Sequence, residues 1–287
     1  MLTHSHRSLE PAWHRRLDRA TGVLLPGLMV FSPWAFGGWP GWSIWTVNLG
    51  GYLLGVMFLI KLGIRRHTGF EPIRWNGGQS AVLQYGLGLV TVALLLWCFI
   101  SAVNARAVVD LESLRLVENR GWIDWLPHSY DRPATWFAFW QYLGLAGVFW
   151  ALRDWLAIAS SPERHRLQAD ARARSQPGGI RGASSDAWVP HRLPHRLRRL
   201  LWVISLNGAA VAVIGMVSTF DNPSKVLWLM PHETREGGFF GPFYYRNVGA
   251  AFVNLSWPPC LGRWLTYCLR AAQIGRAGGL IGGSPRG

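Results

Sequence analysis

An arginine stands at the edge of an apolar segment in the stretch Gly237–Asn254, which reads GGFFGPFYYRNVGAAFVN. Arg246 and Asn247 follow an approach rich in glycine and aromatic residues, and they precede a small-residue run, Gly249 to Leu255, that is typical of the start of a membrane helix. A charged side chain at the rim of a bilayer is costly unless it snorkels to the interface or has a function there. The stretch is therefore the first place to look for chemistry, with a helix-anchoring arginine as the structural alternative.

The composition indicates a polytopic membrane protein. Half of the 287 residues are hydrophobic, 18 are tryptophan and 15% are charged, yet the formal net charge is +14. The apolar residues come in blocks of about 20, enough to cross a hydrocarbon layer of ~30 Å. Lysine and arginine collect in cytoplasmic loops, and tryptophan collects at the headgroup level. The positive charge thus reflects membrane topology, and no nucleic acid partner is expected.

Six apolar segments predict an all-α fold, a polytopic membrane helix bundle of about six transmembrane helices. They cover about 21–38, 42–62, 81–103, 134–158, 200–220 and 243–261. The long basic segment 1–20 before the first span favours an uncleaved signal anchor over a cleaved signal peptide. In the second span, Gly51 and Gly55 form a small face on which another helix can pack closely.

The loop charges predict the orientation of the spans. The loop 104–133 has four arginines against five acidic residues, whereas the loop 159–199 has nine arginines against three acidic residues. By the positive-inside rule the first loop lies outside, the second lies in the cytoplasm, and so do both termini, 1–20 and 262–287. Tryptophans in 104–133 predict that this loop rests on the membrane surface. The centre of 159–199, SQPGGIRGASS, has linker composition and predicts disorder.

Other polar residues favour structural roles. The three cysteines lack a CxxC pair and a histidine at ligand spacing, so neither a disulfide framework nor a zinc site is expected. His191 and His195 have the spacing of a metal pair on a helix, but Pro194 between them favours a plain basic flank of the fifth span. Asn207 and Asn254 lie inside spans five and six, where an amide side chain commonly bonds to a neighbouring helix.

Four stretches resemble the O-antigen ligase and O-antigen polymerase-like superfamily of bacterial inner-membrane glycosyltransferases. GPFYYRNVGAAFVNL is similar to the family motif of a Gly-x-Phe approach, Asn-Arg-Asn-His and a small-residue helix start. LLWVISLNGAAVAVIGMVSTFDN is similar to the preceding span, FSPWAFGGWPGWSIW to the first hairpin, and WLPHSYDRPATW to the segment before the fourth span. Arg246 and Asn247 match the motif, whereas Tyr245 and Val248 stand where it has Asn and His.

The resemblance implies transfer of a glycan from an undecaprenyl pyrophosphate carrier to an acceptor at the periplasmic face, without a metal or any other cofactor. It implies that Arg246 contacts the pyrophosphate, because a guanidinium fork matches phosphate oxygens and stabilises the departing charge. Asn247 would add a hydrogen bond or brace the arginine. The family usually continues with further spans and a large periplasmic loop that supplies arginines and a histidine. The chain is therefore expected to be a truncated, N-terminal part of such an enzyme, with its catalytic residues unassigned.

A second interpretation is a non-catalytic membrane protein that binds a lipid-linked sugar or scaffolds a polysaccharide assembly complex. A transporter subunit is less favoured, because no span has an acidic residue in its middle to couple ions. The two favoured interpretations place a multi-pass chain in the bacterial inner membrane, with membrane lipids and a lipid-linked glycan as its partners.

Overall fold

The computed structural model describes residues 10–74, 81–109, 116–119, 121–160, 163–165, 169, 193–221, 225–231 and 238–281. These residues are mostly helical, as the sequence predicts. The chain divides into two compact units: the first is Met1–Leu28 with Ile44–Arg196, and the second is Met29–Ser43 with Leu197–Gly287. The cytoplasmic loop predicted at 159–199 lies largely outside the described residues.

A long helix occupies the place of each predicted span. The six helices are α1 (Ala12–Trp34), α2 (Gly41–Thr68), α3 (Ala81–Val103), α4 (Arg132–Ala157), α5 (His195–Asp221) and α6 (Arg246–Ile281). Three of them are long and apolar enough to cross a membrane, namely α2, α3 from Val82 onward, and α5. That the other three also cross, and on which side each terminus lies, stays a prediction.

Glycines of α2 and α4 bring these two helices into close contact in the first unit. A Cβ added to Gly51 would lie 2.5 Å from the carbonyl oxygen of Gly144, and one added to Gly55 would lie 3.1 Å from the Cα of Gly147. No side chain fits between backbones at these separations, so small residues are required on both helices. The small face predicted on the second span is therefore confirmed, with α4 as the helix that packs against it.

The loop between α3 and α4 has a defined structure where it is described. Strand β1 (Ala107–Val109) pairs antiparallel with β2 (Leu116–Glu118). The buried amide of Asn104 accepts from the Ile123 N–H at 2.7 Å and donates to the Ile123 carbonyl at 2.9 Å. Asp131 then caps α4, because its carboxylate accepts from the Ala134 N–H at 3.1 Å. Trp125 is largely exposed, and that this loop rests on the membrane surface stays a prediction.

A second short hairpin, β3 (Lys225–Val226) with β4 (Met230–Pro231), follows α5 in the second unit. It leads towards α6, which begins at Arg246 and continues past the predicted end of the sixth span to Ile281. Pro258 and Pro259 lie within this helix.

Candidate functional site

A tight turn between α1 and α2 presents Trp39 at the surface of the second unit. Phe36, Gly37 and Gly38 lie in succession in the left-handed region, with φ of 56°, 61° and 79°. Glycine adopts such angles without the steric cost that a Cβ would add. The buried hydroxyl of Ser43 closes the turn by donating to the Ala35 carbonyl at 2.7 Å.

A second turn, at residues 240–243, fixes the approach to α6. Phe240 and Phe243 exchange two backbone hydrogen bonds, of 3.1 and 3.0 Å, around Gly241 and the buried Pro242. A Cβ at Gly215 of α5 would lie 2.6 Å from the Phe240 ring, so the ring occupies the space that this glycine leaves. The glycine and aromatic approach singled out in the sequence is thus a packed turn.

The aromatic turn at 240–243 also packs against the turn between α1 and α2. The Phe243 ring lies directly over Gly37, where an added Cβ would collide with it. Gly249, in the first turns of α6, faces both phenylalanine rings at separations of 3.1 to 3.2 Å for an added Cβ. Two regions of distant sequence therefore form one local structure around the start of α6.

Helix α6 begins at Arg246, whose backbone is hydrogen-bonded and whose side chain is exposed. The Arg246 N–H donates to the Gly238 carbonyl at 2.7 Å. Arg246 and Asn247 are both exposed, and within the described residues neither side chain has an ion pair or hydrogen bond. The structure therefore leaves both side chains accessible to an external ligand.

An aromatic cluster made of Trp39, Tyr244 and Tyr245 lies immediately before Arg246. The Trp39 and Tyr244 rings are stacked, with centroids 5.0 Å apart and an interplanar angle of 7°. Tyr245 meets Trp39 edge to face, at 4.9 Å and 88°, and meets Tyr244 at 5.3 Å and 81°. No local pattern in the sequence joins Trp39 to this site, because the two segments are far apart in the chain.

Polar and small residues hold the helices of the second unit around this site. The Trp34 indole donates to the Asn207 side-chain oxygen at 2.7 Å, and the Asn207 amide donates to the Met29 carbonyl at 3.1 Å. Gly208 of α5 lies against Ser256 of α6 so closely that an added Cβ would overlap the serine side chain. The interpretation of Asn207 as a helix-bonding residue is therefore confirmed.

A buried ion network in the first unit is a feature that the sequence interpretation missed. Lys61 is fully buried, and its Nζ lies 2.8 Å from an Asp154 oxygen and 3.4 Å from an Asp18 oxygen. Arg65 forms two parallel hydrogen bonds to Asp154, of 2.6 and 2.8 Å, and Arg196 forms two to Asp18, of 3.1 and 2.5 Å. Paired, bidentate geometry is what a buried charge needs to be tolerated.

Histidine 14 extends this network toward the N-terminal segment. Its Nε2 accepts from Arg65 at 3.0 Å, so its Nδ1 carries the proton and faces Glu10 at 3.3 Å. Burial and the Arg65 charge lower the pKa of His14, against the opposing effect of Glu10. Burial raises the pKa of Glu10, but hydrogen bonds from Arg164 and His14, together with the Arg164 charge, outweigh it and lower that pKa overall. His14 is therefore held neutral beside an ionised Glu10.

The second span predicted at about 42–62 contains Lys61 and ends before Arg65. Both residues lie within α2, which continues to Thr68. The position of two acidic residues could have revealed the network. Asp18 and Asp154 lie at the ends of apolar segments, on the cytoplasmic side to which the positive-inside rule also assigns Lys61 and Arg65.

Histidine, cysteine and carboxylate side chains do not converge into a metal site anywhere in the described part of the chain. His191 lies outside the described residues, so the histidine pair at 191 and 195 stays untested. Comparisons with known proteins find no matching family model, no similar curated protein and no similar solved structure. Function is therefore argued from the chemistry of the site itself.

Proposed function

We propose that this chain is a multi-pass inner-membrane protein of the O-antigen ligase-like type, which handles undecaprenyl-pyrophosphate-linked glycan at the periplasmic face. Arg246 contacts the pyrophosphate, and Asn247 adds a hydrogen bond to it. The observation that carries the proposal is an exposed arginine at the start of α6, directly after the aromatic cluster of Trp39, Tyr244 and Tyr245.

The proposed topology has six spans with both termini in the cytoplasm. Three helices meet the requirements of length and apolarity for crossing a membrane. The ion network supports the orientation, because the charged residues that join it from α1, α2, α4 and the start of α5 all belong to the side that the charge rule makes cytoplasmic. Arg246 then lies at the opposite, periplasmic end of its helix.

The chemistry of the site suits a lipid pyrophosphate. In glycan transfer, the bond between the sugar and the pyrophosphate oxygen breaks while an acceptor hydroxyl oxygen bonds to the sugar and gives up its proton. Negative charge grows on the departing pyrophosphate, and a guanidinium stabilises it through charge-assisted hydrogen bonds. Among the described residues the Arg246 side chain has no anionic partner, so it is available for this contact, and it stays charged at an interface where a lysine is more easily neutralised.

A non-catalytic protein that binds the lipid-linked sugar, or scaffolds an assembly complex, is the second candidate. The observation that favours it is Val248, which is exposed in the first turn of α6 at the place where the motif has histidine. Valine cannot accept or donate a proton, so this position contributes no acid or base to a transfer reaction. Binding by Arg246 is common to both candidates, and turnover separates them.

The test is turnover in proteoliposomes that contain the purified protein, undecaprenyl-pyrophosphate-linked glycan and a membrane extract as the source of acceptors. Release of undecaprenyl pyrophosphate is measured for the wild type, for Arg246→Ala and for Arg263→Ala, which removes an arginine from the other part of the same helix. The transferase proposal expects release by the wild type and by Arg263→Ala, and a loss of at least about tenfold in Arg246→Ala. Binding of the lipid without release establishes the second candidate instead.

A further inference from the structure

We propose that Trp39, with Tyr244 and Tyr245, forms a stacking wall for the first sugar ring of the lipid-linked glycan. The inference rests on the proposed function, and it adds recognition of the sugar to the contact of Arg246 with the pyrophosphate. Trp39 belongs to the turn between α1 and α2, so the sugar is recognised by a residue far in the sequence from the arginine.

The accessible surface of the wall comes from two of its rings. Trp39 and Tyr244 are parallel and cover one face of each other, yet about half of the Trp39 side chain is exposed, at 50%. Tyr245 stands perpendicular to Trp39 and is 48% exposed. Trp39 and Tyr245 are therefore the two rings of the wall with the largest exposed fractions.

The wall is held in place before any ligand arrives. The Trp39 N–H donates to the Phe36 carbonyl at 3.1 Å, and the contact of Gly37 with the Phe243 ring joins the turn to the approach of α6. Rings that are already ordered lose little side-chain freedom on binding, which favours affinity. An anchor that only marks the headgroup level does not require three rings packed against one another in this way.

The chemistry of the neighbouring residues fits a saccharide. A pyranose ring has a face of C–H groups, which packs against the electron-rich face of an aromatic ring, and a rim of hydroxyl groups that form hydrogen bonds. Arg246 and Asn247 supply exposed donors next to the aromatic rings in the sequence. A glycosyl pyrophosphate combines an anionic group with a pyranose in the same molecule, and the site presents a cation beside aromatic faces.

Two ligands separate recognition of the sugar from recognition of the phosphate. Binding of undecaprenyl pyrophosphate, bare or carrying a single hexosamine, is measured with protein in lipid nanodiscs. The wild type is expected to bind the hexosamine form about three- to tenfold more tightly, the size of an aromatic contact. Trp39→Ala is expected to lose this preference and keep its affinity for the bare lipid, whereas Arg246→Ala is expected to weaken binding of both lipids.

Two further variants serve as controls, one for misfolding and one for a general loss of membrane anchoring. Trp39→Phe keeps an aromatic face and is expected to retain most of the preference. Trp42→Ala removes a tryptophan of similar exposure, 54%, whose ring packs on Phe31 and Phe36, and it is expected to behave as the wild type.

The outcomes distinguish this inference from the proposed function. Binding of bare pyrophosphate lipid without any preference for the hexosamine form overturns the stacking wall alone. An equal loss for both lipids in Trp39→Ala and Trp42→Ala also overturns it, since tryptophan then acts as an interfacial anchor. Failure of the wild type to bind either lipid contradicts the proposed function itself.

Discussion

The ammonium group of Lys61 lies 2.8 Å from the Asp154 carboxylate, and the lysine side chain is completely removed from the surface. A buried charge is tolerated only with partners of opposite sign in good geometry. Asp18 faces the same ammonium, while Arg65 binds both oxygens of Asp154 and Arg196 binds both oxygens of Asp18. The first unit is thus organised at one end by charge pairing between helices and not by apolar contact alone.

Lys61→Met is expected to destabilise the protein by about 1–3 kcal/mol, because the buried carboxylates of Asp18 and Asp154 lose the ammonium and keep only their guanidinium partners. Thermal unfolding in detergent measures the loss. The chain offers a matched control in Lys225→Met, since Lys225 is exposed on β3 and its replacement is expected to change stability by less than about 0.5 kcal/mol. Equal stability of the two variants contradicts the assigned role of the network.

The lowered pKa of His14 predicts that the folded protein loses stability on acidification. Its pKa in the folded protein lies below the ordinary value of 6.5, so the unfolded chain binds the proton first as the pH falls. The contribution of His14 is therefore present above about pH 6.5 and is lost as the pH drops below it. Protonation also places a charge beside Arg65 and Lys61 of α2, which the nearby Glu10 and Asp18 only partly offset.

The measurement is the unfolding midpoint in detergent between pH 7.5 and 5. The wild type and His67→Gln, which replaces an exposed histidine on α2, are expected to lose stability together across this range. His14→Gln is expected to show a flatter profile, because the titrating group is gone. Parallel profiles for all three proteins rule out His14 as the source of the pH dependence.

Gly37→Ala is expected to destabilise the second unit more than Gly38→Ala does. Both glycines have positive φ, so both substitutions carry a similar backbone cost. Only the Cβ at Gly37 collides with the Phe243 ring, whereas the space around Gly38 is open. A difference of about 1–3 kcal/mol in unfolding free energy is expected from the steric term. Equal effects would mean that the turn does not pack on Phe243.

The proposed topology predicts which loops a membrane-impermeant thiol reagent reaches in intact cells. In a variant without the three native cysteines, Trp125→Cys is expected to react from outside, because it lies in the 104–133 loop and is largely exposed. A cysteine at Ala183, in the 159–199 loop, is expected to react only after the inner membrane is permeabilised. The opposite pattern contradicts the proposed orientation of Arg246.

The positions of the helices could be predicted from the sequence because long apolar runs between charged or glycine-rich segments leave few alternatives. Gly51 and Gly55 predicted a close helix contact for a similar reason, since only a neighbouring backbone makes use of two small residues one turn apart. Helix α1 begins at Ala12, before the first span predicted at about 21–38. Asp18 looked like a flanking charge, and its partners Lys61 and Arg196 become visible only when the helices are packed.

The site could be predicted in part. Arg246 and Asn247 were singled out because an arginine at the start of an apolar helix needs a reason, and the structure places both at the surface. The stacking of Trp39 on Tyr244 could not be predicted, because no local pattern links the turn after α1 to the approach of α6. That link depends on the tertiary contact between Gly37 and Phe243.

The central claim is that Arg246 holds a lipid pyrophosphate, and the affinity of the protein for undecaprenyl pyrophosphate in nanodiscs tests it most directly. The wild type and Arg263→Ala are expected to bind the lipid saturably and alike. Arg246→Ala is expected to bind it at least about tenfold more weakly, with Arg246→Lys between them because lysine keeps the charge and loses the planar fork. Wild-type affinity in Arg246→Ala would contradict the account.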